Sequence, residues 1–172
     1  MHLQKLCYIE HGFALALFDK TLTSDTIEAW DYGPVYPELY DALKKYGSGD
    51  VHDLICANNL ANFDHIKGPV VTSSLSHEEE KLIETVWNDY GSYEAFKLSA
   101  LTHEPNSPWA KIYIAGKKQL PIQNTLIKEY FLAITNAHAW INRKAEANSG
   151  RRSGKYAMKK FRIQNISKKW LL

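Results

Sequence analysis

Apolar positions recur at helical spacing from the start of the chain. Leu3, Leu6, Cys7, Phe13, Ala14 and Leu17 fall near one helix face, with Glu10 interrupting it. Gly12 costs about 1 kcal/mol there relative to Ala unless something packs closely on it. A polar turn over Asp19–Asp25 follows, and Ile27–Tyr32 reads as a short strand, paired in a hairpin with Thr21–Thr23. Pro37–Tyr46 reads as a helix with Pro at its first position, Glu38 at its N-terminus and Gly47 as its stop. Asp50 is placed to cap a helix over Val51–Leu60, and an extended piece is expected at Val70–Thr72. Ser76 and Glu79 form a capping box for a helix whose apolar face is Leu82, Ile83, Val86, Trp87 and Tyr90. Gly91 ends it, and Ser92 caps a helix from Tyr93 to Leu101. Ser107-Pro108 opens a short helix to about Ala115. A long helix over Asn124–Arg143 carries Ile127, Tyr130, Phe131, Ile134, His138 and Ile141 on one face. The pattern predicts a mainly α protein: one compact multi-helix domain over residues 1–146 with at most a short β-hairpin, then a basic C-terminal extension over 147–172.

One stretch breaks the helical rhythm. Thr26–Tyr40 concentrates Trp30, Tyr32, Tyr36 and Tyr40 around Gly33-Pro34 and Pro37. Gly33 is free to take a positive φ, and the two prolines fix their own φ and push Gly33 and Tyr36 out of the helical region. The expectation is a stiff aromatic elbow, a turn and not a regular element, feeding a helix. Such an elbow either plugs a core or presents a surface.

Composition changes this picture in one respect. The 172 residues carry a formal charge of +2, yet ten of the 21 Lys+Arg and one of the 19 acids lie in Arg143–Leu172. That leaves +9 in the tail and −7 in the body. Tyr156, Phe161 and Trp170 interleave with the tail's basic residues, which suits nucleic-acid contact, whereas Met158, Phe161 and Ile166 suit docking on a protein. The acidic body argues against a nucleic-acid-binding domain. With Phe161, Ile163, Ile166 and Trp170 the tail is too apolar for a purely solvated segment, so it is expected to order against its own body or a partner.

The candidate chemistry is sparse. His2, His11, His52, His65, His77, His103 and His138 are scattered, with no HExxH and no Cys-x-x-Cys. No P-loop, GxGxxG or GxSxG occurs, so no metal, cofactor or catalytic residue is assigned. Cys7 and Cys56 read as buried thiols of a reducing compartment, and no membrane span or signal peptide is expected. A cytoplasmic protein follows. The loop Leu101–Trp109 is distinctive, with two prolines. Its His103 is expected to hydrogen-bond a backbone group and its Trp109 to pack inward.

Four motifs together resemble the Panacea domain, the SocA-like or GepA-like antitoxin family of bacteria and phages. They are Leu3–Tyr8, the Ile27–Tyr40 elbow, Val86-Trp87-x-x-Tyr90-Gly91, and Leu98-Ser99-x-Leu101-Thr102-His103 leading to Pro108-Trp109. The family pattern places a helix before the first motif, whereas Met1 lies almost inside it here and His2 stands where Lys is usual. The resemblance implies the antitoxin of a type II toxin–antitoxin pair that binds its cognate toxin directly, with no cofactor and no enzymatic activity. Its implied partner-binding region is the elbow, through Trp30, Tyr32, Gly33, Pro34, Val35, Tyr36, Pro37 and Tyr40, with His103 and Trp109 beside it. The alternatives are an adaptor that presents the toxin to a protease, and an enzyme using His103 and Glu104.

Overall fold

The computed structural model describes residues 1–53, 70, 72–117 and 119–148, with side chains to residue 136 in the last helix. Among the described residues it is mainly α, with six α-helices and one two-stranded antiparallel hairpin. The elements are α1 (His2–Phe18), β1 (Glu28–Trp30), β2 (Gly33–Val35), α2 (Pro37–Leu43), α3 (His77–Tyr90), α4 (Ala95–Thr102), α5 (Pro108–Ile112) and α6 (Asn124–Asn148).

The central element is α1, buried on nearly every side from Gln4 to Leu15. Helices α3, α4 and α6 and strand β2 all pack on it. Across the α1–α6 contact Asn124 meets His11, Lys128 pairs with Asp19, and Phe131 reaches Tyr8 and Phe13. The glycine at position 12 makes this possible. A Cβ there would lie 2.3 Å from the Phe131 ring, so the ring seats directly on the helix backbone. The core continues through Leu6, Ile9, Leu82, Val86, Tyr90, Leu98 and Ile127.

The local signals hold where they are local. Ser76 and Glu79 make both halves of the capping box, Ser107 caps α5 through the Ala110 N–H, and α2 runs through a 3₁₀ turn (Lys44–Tyr46) to Gly47 at φ 56°. Four expectations shift. The short α5 ends at Ile112, and α6 continues to Asn148. The expected cap Ser92 is passed over, and α4 starts from Glu94. On α3, Leu82, Val86 and Tyr90 are buried, but Trp87 is 55% exposed and turns away from the core. The helix expected over Val51–Leu60, apart from its first three residues, and the tail from residue 149 lie outside the described residues, as does Cys56.

The hairpin also differs from expectation. Strand Glu28–Trp30 pairs with Gly33–Val35 and not with Thr21–Thr23, in the register Glu28 to Val35, Ala29 to Pro34 and Trp30 to Gly33. Asp31-Tyr32 is the two-residue turn, so the elbow is a regular β-hairpin after all. The other edge of β1 is covered by the chain before α6. Ala29 donates to the Leu120 carbonyl (2.9 Å), and the Ile122 N–H donates to the Ile27 carbonyl (2.7 Å).

Candidate functional site

A hairpin this short cannot hold itself in place, because two three-residue strands make too few ladder bonds. Its position comes from side chains of other elements that bind its backbone carbonyls. Trp109 Nε1 on α5 donates to the Trp30 carbonyl (2.7 Å). The Ser99 hydroxyl on α4 donates to the Tyr32 carbonyl (3.0 Å), and His103 Nε2 makes a longer contact of 3.4 Å with the Asp31 carbonyl. Lys5 Nζ on α1 donates to the Pro34 carbonyl (2.8 Å). Gln4 brackets Tyr36 with its amide, donating to the Tyr36 carbonyl (3.2 Å) and accepting from the Tyr36 N–H (2.9 Å). Leaving one such buried carbonyl unpaired costs about 1–3 kcal/mol, so the set fixes the hairpin at defined atoms.

Aromatic rings continue the clamp outward. The His103 ring lies 3.7 Å from that of Trp109, which stacks on Tyr113 at 4.4 Å. The Tyr113 hydroxyl donates to the Asp31 carboxylate (2.9 Å), an acceptor that favours the protonated phenol and raises its pKa. His103 Nδ1 donates to the Ser99 carbonyl at 2.6 Å, as only an N–H can against a carbonyl. Both expectations for this loop hold: His103 bonds backbone and Trp109 is half-buried. The imidazole is thus built into the anchoring of the hairpin.

Beneath the hairpin, Gly33 sits at φ 102°, a conformation that side-chain-bearing residues rarely adopt. A Cβ on it would meet Thr102 Oγ1 at 2.7 Å and the Lys5 ammonium end at 2.9 Å. Lys5 is fully buried, and burial pulls its ammonium down from the ordinary lysine range to about 7.

The expected partner-binding residues therefore divide by accessibility. Gly33, Pro34, Val35 and Tyr36 are buried within this chain, so their side chains shape the hairpin from below. Tyr32 at the turn is 65% exposed and Tyr40 on α2 is 44% exposed. Trp30 is half-buried, its ring edge-on to Tyr40 at 5.0 Å and its indole N–H on Glu28 (2.8 Å). Pro37 is half-buried at the start of α2. Gln4, Lys5, Ser99 and Tyr113 complete the arrangement, and sequence reasoning gave them no role. The first three stand inside the quoted motifs, which was the available signal. Tyr113 had none. Among the described residues no group of three or more His, Cys, Asp or Glu is placed to hold a metal, and no helix is long and apolar enough to cross a membrane.

Comparison with known proteins bears on the same residues. The family model described as "Antitoxin SocA-like, Panacea domain" matches residues 3–110, which contain α1 through most of α5's first turn and thus nearly the whole clamp. "Antitoxin SocA" of Caulobacter vibrioides is 29% identical over 107 residues, 62% of this chain. The chain spans about half the length of that curated relative, the match covering 55% of it. No solved structure matches.

Proposed function

This chain belongs to the antitoxin SocA-like, Panacea-domain family, and from that membership we propose that it is the cytoplasmic antitoxin of a type II toxin–antitoxin pair. In this reading it neutralises a cognate toxin protein by direct binding and not by catalysis. The contact surface is the outer face of the hairpin, with Tyr32, Tyr40 and the exposed edge of Trp30. One observation carries the reading: four backbone carbonyls of the hairpin region, those of Trp30, Tyr32, Pro34 and Tyr36, accept from side chains of α1, α4 and α5 while Tyr32 is left 65% exposed. A rigid platform loses little entropy on association, and Tyr and Trp are the side chains that dominate interface energetics.

The test is co-expression with the toxin gene in a host lacking its ATP-dependent proteases, scored by growth and by co-purification of the two proteins. Rescue with a stable complex supports direct neutralisation. Rescue that disappears with the proteases transfers the assignment to an adaptor that presents the toxin for degradation.

A further inference from the structure

The outer face of α3 is a second surface with a defined chemistry. Glu80, Glu84 and Trp87 stand at i, i+4 and i+7, on one stripe of the helix opposite the buried Leu82, Val86 and Tyr90. Trp87 is 55% exposed, and Phe96 in the first turn of α4 is 71% exposed. Glu78, Glu80, Glu84 and Glu94 are exposed, and none of them is ion-paired among the described residues. Two other exposed acids, Asp19 and Asp41, are already paired with Lys128 and Lys44. An exposed indole on one stripe with two carboxylates that form no ion pair among the described residues is unlike an ordinary solvated helix face.

The complement is in the same chain. Residues 149–172 contain eight Lys+Arg and no acid, with Tyr156, Phe161 and Trp170 among them. We propose that this C-terminal segment docks on the outer face of α3, its Lys and Arg side chains against Glu80 and Glu84 and its aromatic rings against Trp87.

Three physical points select this occupant. A 24-residue segment reaches up to about 80 Å when extended, more than the diameter of a domain this size, so geometry permits the contact. Screening over a Debye length of about 8 Å leaves only close charge pairs effective, so a segment held by charge must make contact. Tethering supplies an effective concentration on the order of 1 mM, so even a weak peptide–surface interaction is substantially occupied. Cation–π contact of an Arg or Lys with Trp87 adds to the charge pairs.

Limited trypsin digestion of the full chain tests the proposal, because the segment's Lys and Arg residues are the cleavage sites. We expect cleavage within 151–169 to accelerate about threefold or more in Trp87→Ala and in Glu80→Lys/Glu84→Lys, matching the loss of a contact occupied near its effective concentration. All three positions are exposed, so the melting temperature should change little. Glu80→Lys/Glu84→Lys carries a small loss, because Glu80 lies in the first turn of α3, where the helix dipole favours an acid. Cleavage is therefore compared well below the melting temperature of every variant. Salt at about 0.5 M should bring wild-type cleavage up towards the variants' rate. Glu38→Lys, on the exposed start of α2, should leave cleavage unchanged. Equal rates in wild type and variants overturn the proposal, as does Glu38→Lys acting as strongly as Glu80→Lys/Glu84→Lys. Protection that rises with protein concentration assigns the face to a second copy and overturns it. Protection that appears only with toxin present gives the segment to the toxin and also overturns it.

Discussion

Helix α1 is held by two different kinds of contact along its length. Towards its C-terminal half it meets α6 through Phe13 and the bare backbone of Gly12, with the Phe131 ring lying between. At its N-terminal end it meets the hairpin through Gln4 and Lys5, which end on the Tyr36 and Pro34 carbonyls. The apolar contact is worth more in total, because hydrophobic burial scales with area. It specifies only that two shapes fit. The polar contact is worth less and specifies which atoms meet, because a misplaced carbonyl loses its donor and gains no water. The placement of Pro34 and Tyr36 therefore depends on the weaker contact, and the existence of the fold on the stronger.

Substitutions at the two glycines sharpen that contrast, and the larger effect belongs to the apolar end. Helix propensity alone says that Gly12→Ala should stabilise by about 1 kcal/mol. The added methyl would sit 2.3 Å from the buried Phe131 ring, which would have to shift to make room. We expect a net loss of about 3 kcal/mol, at the upper end of overpacking costs, measured by urea unfolding. A gain in stability would mean that α6 does not approach α1 so closely. At the polar end, Gly33→Val imposes a branched side chain on φ 102° and drives it towards Thr102 and Lys5. The expected loss is about 1–3 kcal/mol. A wild-type melting curve for that variant would argue against the strained hairpin geometry.

Lys5 gives the polar end a pH signature that the apolar end lacks. Its pKa is about 7 in the fold and 10.5 ordinarily. Between those values the unfolded chain binds a proton that the native chain does not, so stability rises with pH, by up to about 1.4 kcal/mol per unit. Below pH 7 both states are charged and the gain is lost. Other groups overlap. Burial lifts Glu10 to about 7, which lowers stability as pH rises from 4.5, and lowers the His11 pKa, which acts oppositely below 6.5. Burial also lifts Cys7 to about 12, which lowers stability above pH 9. These titrate in wild type and in Lys5→Met alike. The stability difference between the two proteins should therefore grow in favour of wild type from pH 7 to about 10. A difference flat across that range would show that Lys5 stays charged against the Pro34 carbonyl.

Much of the scaffold was legible because its signals are short-range. Ser76 with Glu79, Ser107 with Pro108, and Gly47 each act within a few residues, and each stands where the sequence placed it. Gly12 was legible as an anomaly that needed a close neighbour, though not as a contact with Phe131. The hairpin register was not legible, since three-residue strands carry no period and Gly33-Pro34 has the composition of a turn. Trp87 was misplaced because it follows the buried Val86 by one residue, and the 100° step carries it off the core face. The clamp joins residues 29 to 82 apart in sequence, such as Lys5 with Pro34 and Tyr113 with Asp31. No local pattern encodes such pairs, and only the family motifs gathered most of them.

The smallest effect on stability should come from Tyr32, a residue proposed to touch the partner. Tyr32 is 65% exposed at the turn, and its backbone carbonyl accepts from the Ser99 hydroxyl of α4. Tyr32→Ala keeps that carbonyl and the two-residue turn, so its melting temperature should match wild type, and its unfolding free energy should change by less than about 0.5 kcal/mol. If the hairpin's outer face meets the toxin, the same variant should weaken toxin binding by about 1.4 kcal/mol or more, a tenfold rise in Kd. Titration calorimetry on the purified pair reads this directly. Ser99→Ala is the complementary variant. It leaves Tyr32 in place and removes the donor behind it, so it should cost stability first and affinity only as far as the turn loosens. Wild-type affinity in Tyr32→Ala would move the toxin contact off the hairpin, leaving the clamp as scaffolding for a surface elsewhere. A drop in affinity at unchanged stability would separate the residue that touches the partner from those that hold it in place.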